Sequence, residues 1–286
     1  MVTLIFYALY DVRVVEIFTA RILEVTMSNS LRIAVITGAS SGIGGEFVRQ
    51  IDCEEHYDEI WVIARRKDRL EALQETVQTR LTVMPLDLTD KDAIKQYGAA
   101  LAETRPVIGL LINAAGFGKI GKTEDMSLEE CDNMIDLNCR AAIDMTQASL
   151  PYMDTGSRIM EICSTAAFQP FQYLNIYAAT KAFLLRYSRA LRWELIPRGI
   201  IVTAVCPYWV KDTEFIGTAK KTKDSSYIKS FPLSSKMKSV VAISLHDSRM
   251  GCAVSTPSPV STLHRFFGKV FPDSALMSIW EGLRRV

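Results

Sequence analysis

The sequence predicts an α/β protein built on a doubly wound parallel sheet in a single domain. Strand-like and helix-like segments alternate from Leu31 to Cys206, the pattern of a parallel sheet with crossover helices. The strand segments are short apolar runs, as expected where a sheet is covered on both faces. A glycine-rich turn joins the first strand to the first helix, the place where a dinucleotide would bind.

Residues 31–36 (LRIAVI) are the first strand, and TGASSGIGGEF follows at once. Gly38, Gly42 and Gly44 are spaced G-x-x-x-G-x-G and open a helix over residues 43–52. With Ser40, Ser41 and Ile43 they form a candidate cradle for a pyrophosphate. Glycine lets backbone approach a ligand, and a helix N-terminus offers N–H groups to an anion. The competing reading is a strand-to-helix turn that needs glycine for its own geometry.

The second strand, residues 59–64, ends in Ala64-Arg65-Arg66. A site for NAD commonly carries an acid here for the ribose 2′-hydroxyl. This chain has two arginines instead, and a guanidinium pairs well with a 2′-phosphate. Arg65 is therefore assigned to the cofactor, and NADP(H) is favoured over NAD(H). The alternative is two solvated arginines opening a helix over residues 67–78.

The third strand, residues 81–86, delivers Asp87 and Leu88 at its C-terminal end. Asp87 either accepts a hydrogen bond from an adenine amino group or caps the helix starting near Asp90. That helix runs to about Glu103. A fourth strand over residues 109–112 leads into Asn113-Ala114-Ala115-Gly116, whose small side chains allow backbone to lie against a cofactor. The next helix runs from Leu128 into the stretch around Ala141 and contains Asn138. An amide there costs helix propensity; a kink or a water-binding role accounts for it, and an exposed, indifferent Asn is the alternative.

Residues 158–163 are the fifth strand, closed by Ser164, and a helix over residues 177–195 carries Tyr177 and Lys181. Residues four apart share a helix face. An ammonium beside a phenol lowers its pKa from about 10. Such a Tyr can give a proton to a carbonyl oxygen, or take one from an alcohol, with Ser164 holding the same oxygen. The Tyr-x-x-x-Lys pair alone is a weak signal; the upstream Ser and the glycine turn strengthen it. Residues 200–206 form the sixth strand, followed by Pro207-Tyr208-Trp209.

A chain of 286 residues, 49% hydrophobic and 23% charged, fits an ordinary globular protein. A net charge of +1 without a basic stripe gives no case for nucleic acid. The six cysteines lack Cys-x-x-Cys spacing, which points to free thiols in a reducing cytoplasm rather than to a metal site or disulfides. Residues 1–27 read as an N-terminal extension outside the fold, with an interfacial helix on a membrane surface as the alternative. Residues 28–286 are then the single dinucleotide-binding domain, with a substrate segment over residues 208–240.

In that segment Lys220, Lys221, Lys223 and Lys229 read as a solvated run rather than an attractor for acidic substrates. Residues 251–255 are a candidate last strand. Over the tail, residues 257–286, Leu263, Phe266, Phe267 and Val270 recur at helical spacing, as do Leu276, Ile279, Trp280 and Leu283. These stripes are expected to cover the pocket or a subunit interface. A membrane-surface helix with His264, Arg265 and Lys269 on its polar side is the alternative. Phe168, Phe171, Tyr173, Tyr208 and Trp209 suggest a hydrophobic substrate.

Taken together, TGASSGIG at residues 37–44, the Asn113 to Gly116 turn, Asn138, Ser164, Tyr177 and Lys181 resemble the short-chain dehydrogenase/reductase family, over about residues 31–213. The resemblance implies a Rossmann-type fold of about seven strands and a catalytic tetrad. Asn138 would hold a water in a proton relay, and Ser164 would polarise the substrate oxygen. Tyr177 would be the general acid/base, and Lys181 would bind the nicotinamide ribose. Pro207 and Thr213 would lie at the nicotinamide carboxamide, and no metal is implied. Ala114 and Tyr208 depart from the family pattern, where a second Asn and a Gly are common. The implied function is an NADP(H)-dependent oxidoreductase interconverting a carbonyl and a secondary alcohol on a steroid-like, acyl or bulky substrate, as a cytoplasmic homo-oligomer. The alternative is a non-catalytic NADP(H)-binding, redox-sensing regulator.

Overall fold

In a computed structural model the described residues are 30–222, 226–229 and 233–285. The proposed extension over residues 1–27 lies outside them, as does Lys223. Residues Arg32–Val286 form one compact unit.

Seven strands make one sheet in the order β3-β2-β1-β4-β5-β6-β7. They are β1 (Arg32–Thr37), β2 (Glu59–Ile63), β3 (Arg80–Met84), β4 (Val107–Asn113), β5 (Arg158–Ile162), β6 (Ile201–Val205) and β7 (Val254–Ser255). All pairings are parallel. The chain winds outward from β1 to β3, then returns across β1 to build β4 onward. This reversal opens a crevice at the C-terminal ends of β1 and β4, where doubly wound sheets bind ligands.

The helices are α1 (Gly42–Glu54), α2 (Lys67–Gln74), α3 (Lys91–Thr104), α4 (Leu128–Ile135), α5 (Ala141–Ser149), α6 (Asn175–Leu195), α7 (Phe215–Ala219), α8 (Met237–Arg249), α9 (Pro259–Val270) and α10 (Asp273–Leu283). On one face of the sheet Phe47, Val48, Ile51, Leu70, Leu73, Val241 and Leu245 pack onto Ala34, Ile36, Ile60, Val62, Leu110 and Ile112. Each fully buried aliphatic side chain there contributes about 1.5–3 kcal/mol.

Three departures from the sequence reading have physical causes. Helix α8 begins inside the expected substrate segment and has no counterpart among the predicted elements. Its buried face is Val240, Val241, Ser244, Leu245 and Ser248, so serines interrupt the apolar period. Ser244 nevertheless satisfies its hydroxyl on the Val240 carbonyl at 2.7 Å. Secondly, capping of α3 falls to Asp90, which accepts from the Asp92 N–H at 2.9 Å. Asp87 instead receives the Thr89 N–H and hydroxyl at 3.0 and 2.8 Å.

The third departure concerns the tail. Leu276 and Trp280 of α10 are buried, but Leu263, Phe266, Phe267 and Val270 of α9 face outward. Of the two places expected for the α9 stripe, the pocket and a subunit interface, it does not take the pocket. The inner face of α9 is made by smaller or polar residues. Ser261 accepts the Tyr208 N–H at 3.1 Å, His264 meets Gln169 at 2.7 Å, and Gly268 lies against Phe168. Burial between Phe168 and Phe171 pushes the His264 pKa down to about 4, so this imidazole is neutral packing rather than a polar-face cation.

Candidate active site

A cleft of about 830 Å³ runs along the C-terminal edge of the sheet from Arg65 to Trp209. At one end is the turn between β1 and α1. Gly38 and Gly42 have φ of +68° and +55°, the left-handed region that glycine enters without strain. A Cβ on Gly44 would sit 2.7 Å from the Gly38 carbonyl carbon and closer still to its oxygen. Ser41 starts α1 without capping it and no acid stands in the first turn, so the positive end of the helix is left uncompensated by side chains. Gly38, Ser40, Ser41, Gly42, Ile43 and Gly44 all line the cleft. A backbone cradle of this kind fits a pyrophosphate.

Beyond β2 the two arginines part. Arg65 is largely exposed and stands 3.7 Å from Asp87. Arg66 turns inward, donating to Ser41 Oγ at 2.7 Å and Ser40 Oγ at 3.2 Å. It also pairs with Glu214 at 2.9 Å, and Arg69 reaches the other Glu214 oxygen at 2.6 Å. Hydrogen bonds from Arg69 and Arg66 hold the Glu214 carboxyl down at about 2. Arg66 was one half of the Arg-Arg signal; Arg69 and Glu214 carry no local pattern that marks them.

The middle of the cleft is held together by Thr37 and Asn113, neither of which lines it. Thr37 Oγ1 accepts the N–H groups of Ala114 and Ala115, each at 3.0 Å, clamping the end of β4 to β1. The Asn113 side chain turns away from the cleft, donating to Glu161 at 2.9 Å, Thr146 at 3.0 Å and the Ala142 carbonyl at 3.3 Å. Ala114, Ala115 and Gly116 are thereby left to face the cleft with Leu88 and Asp87. Glu161 is wholly buried, and burial pushes its carboxyl up to about 7 against the opposing hydrogen bonds from Asn113 and Thr146 and the charge of Lys181.

At the far end stand Ser164, Tyr177 and Lys181. Ser164 lies just past β5 and caps a short turn, its oxygen accepting the Ala166 N–H at 3.1 Å. Tyr177 and Lys181 project from the first two turns of α6. Lys181 Nζ donates to the Ile162 carbonyl at 2.7 Å and lies 5.8 Å from the Tyr177 ring centroid. The expected lowering of the Tyr177 pKa does not prevail here. Burial drives it above its ordinary value, opposed by the hydrogen bond with Ser164. Burial also pushes Lys181 down from its ordinary value.

Asn138 stands behind this wall, in a π-helical turn, Asp136–Arg140, between α4 and α5. The amide accepts the Phe117 N–H at 3.0 Å, donates to the Phe117 carbonyl at 2.9 Å and donates to Thr180 Oγ1 at 3.0 Å. It is fully buried, which removes the reading as an exposed, indifferent Asn. Its side chain ties the irregular segment following Gly116 to α6. Pro207 accepts the Thr165 N–H at 3.0 Å, and the Thr213 side chain covers Gly42.

Apolar groups close the remaining side. Phe117, Phe171, Leu174, Trp209 and Phe215 line the cleft and belong, with Trp280, to one cluster around the Tyr177 ring. Phe215 lies 5.4 Å from that ring. Trp280 meets Phe171 edge-on at 4.9 Å, so α10 backs the pocket wall. Among the described residues no group of His, Cys, Asp and Glu side chains is placed to hold a metal ion.

The same order of groups recurs in known proteins. Residues 32–224 match the family described as short chain dehydrogenase. The chain is 32% identical over 202 residues to an NADP-dependent 3-hydroxy acid dehydrogenase, YdfG, of Escherichia coli, spanning 70% of this chain and 81% of that one. A short-chain dehydrogenase from Sphingobium yanoikuyae, solved in complex with NADPH, superposes with a TM-score of 0.71 at 30% identity, over 88% of this chain and 95% of that one. A bulky-bulky ketone specific alcohol dehydrogenase from Comamonas testosteroni gives 0.68 at 27%, over 87% and 95%. The glycine cradle, the seven-stranded parallel sheet and a Ser, Tyr and Lys meeting at its carboxyl edge thus have one explanation: the chain belongs to the short-chain dehydrogenase family, oxidoreductases acting on carbonyl and alcohol groups.

Proposed function

We propose that this protein is an NADP(H)-dependent oxidoreductase that interconverts a bulky lipophilic ketone or aldehyde and its alcohol. The observation that carries the reading is the convergence of Ser164, Tyr177 and Lys181 on one cleft with a glycine cradle at one end and aromatic walls at the other. The 2′-phosphate preference is supported by Arg66, fixed on Ser40 and Ser41, and by Arg69 beside it. The relative solved with NADPH is consistent with it.

Gly38, Gly42 and Gly44 would hold the pyrophosphate and Lys181 the nicotinamide ribose. When bound, the dinucleotide supplies or accepts the hydride at the carbonyl carbon. The chain's own residues handle the oxygen and its proton. Ser164 donates to the carbonyl oxygen and fixes its position beside the Tyr177 hydroxyl. Because burial raises the Tyr177 pKa, the phenol is protonated through neutral pH and is ready to act as the acid in reduction. Lys181, anchored on Ile162, stabilises the phenolate left after transfer. Phe117, Phe171, Trp209 and Phe215 keep water out and select apolar substituents.

Six free cysteines support residence in a reducing compartment, proposed to be the cytoplasm, and a homo-oligomeric state is proposed on family grounds. The test is NADPH consumption by the purified protein over a panel of bulky ketones and aldehydes, with Tyr177→Phe as control. Turnover lost in Tyr177→Phe supports the mechanism; full activity in that variant overturns it. Dinucleotide binding without turnover on any substrate would favour the redox-sensing regulator.

A further inference from the structure

The cofactor cleft contains an anion of its own. Glu214 closes a bridge between Arg66 at 2.9 Å and Arg69 at 2.6 Å, while Arg66 spends its remaining donors on Ser40 and Ser41. Two guanidinium groups and two hydroxyls gathered at the end of β2 suit a ribose phosphate. A carboxylate occupies that place in this chain, and it comes from more than 140 residues away in sequence.

The residues on either side of Glu214 reach the other parts of the site. Thr213 lies over Gly42, and Phe215 packs on the Tyr177 ring at 5.4 Å. Phe215 begins α7, whose last residue, Ala219, accepts the Ile120 N–H at 2.8 Å. Phe215 follows Glu214 directly in the chain, so a backbone shift at Glu214 would carry with it the ring that covers the proposed acid/base.

We propose that Glu214 is an internal competitor for the ribose 2′-phosphate: it holds Arg66 and Arg69 until a 2′-phosphate displaces it, and its release moves Phe215 relative to Tyr177. This rests on the NADP(H) reading above and deepens it. A dinucleotide without the 2′-phosphate has nothing to displace Glu214 with, so the device makes the substrate side of the site respond to one cofactor and not the other. The energetic scale is modest, since exposed ion pairs are individually weak. Two of them, together with repulsion between carboxylate and phosphate, correspond to about tenfold in affinity.

The experiment measures binding of 2′,5′-ADP and 5′-AMP by calorimetry to the intact protein and to Glu214→Gln. Glu214→Gln should tighten 2′,5′-ADP on the order of tenfold and leave 5′-AMP within about twofold. In a Phe215→Trp background, 2′,5′-ADP should change the emission of the new indole, and the change should vanish when Glu214→Gln is added. An unchanged or weakened affinity for 2′,5′-ADP in Glu214→Gln overturns the proposal. So does an emission change that survives Glu214→Gln. If neither protein prefers 2′,5′-ADP to 5′-AMP, the NADP(H) reading falls and takes the inference with it. An equal preference in both proteins sinks the inference alone.

Discussion

Glu161 sits in β5 with no exposure to solvent, and one of its oxygens, Oε2, has no hydrogen-bond partner among the described residues. The Asn113 oxygen beside it is in the same position. Glu161 Oε1 meanwhile accepts from Asn113 Nδ2 at 2.9 Å and Thr146 Oγ1 at 3.1 Å. Two unpaired acceptors in a buried carboxyl–amide pair are the arrangement that a proton, or an amide, would satisfy. Burial raises the carboxyl to about 7 from its ordinary 4.5. The folded protein therefore binds this proton more tightly than the unfolded chain does, and stability falls as pH rises from 4.5 through 7.

Over that window the loss is about 3 kcal/mol. For a domain of this size that is a change of roughly 6–12 °C in Tm. Glu161→Gln removes the titration and can place an N–H toward Asn113 Oδ1. Thermal unfolding of both proteins between pH 5 and 8.5 should give similar Tm values at the acid end. At the alkaline end the variant should melt higher by most of that interval. Curves that run parallel across the whole range would refute the assignment of a raised carboxyl pKa to Glu161.

Gly44→Ala should abolish dinucleotide binding, because the added Cβ meets Gly38 backbone that cannot yield without opening the cradle; calorimetry with NADPH checks this. Gly98→Ala is its control, since nothing lies within 4 Å of a Cβ there and a glycine inside α3 costs about 0.5–1 kcal/mol; Tm should rise by roughly 1–4 °C. Asn138→Ala leaves the Phe117 N–H and carbonyl and the Thr180 hydroxyl without their partner. It should cost about 2–4 kcal/mol in denaturant unfolding. Ketone reduction should be flat from pH 6 to 8, because the raised Tyr177 pKa keeps the phenol protonated there. A fall in kcat through that range would contradict Tyr177 as the acid.

The parallel sheet was legible because apolar runs such as LRIAVI and EIWVIA admit few other structures once glycine turns separate them. Ser164, Tyr177 and Lys181 were legible as a group because a strand end and one helix face set their spacing over a short length of chain. Helix α8 was not, since its buried side is partly serine whose hydroxyl bonds back along the helix. The outward set of Leu263, Phe266 and Phe267 was not either, because a stripe shows that a helix has two faces and not which one a neighbour will take. Ser261, His264 and Gly268 fit closely against Tyr208, Gln169 and Phe168, and that fit turned α9.

What the chain's order of residues determined by itself was local: the sheet, the glycine cradle, and the grouping of Ser164, Tyr177 and Lys181. Those follow from backbone sterics and from periods of two and 3.6 residues, which act over short distances along the chain. What only the tertiary structure decided was the inward face of α9 and the electrostatics of the site. Packing buries Glu161 within reach of the Lys181 charge, buries Tyr177 until its proton is held more firmly, and brings Glu214 across to Arg66 and Arg69. A charge or a pKa depends on every group and every water excluded nearby, and those neighbours are assembled only when distant segments fold together.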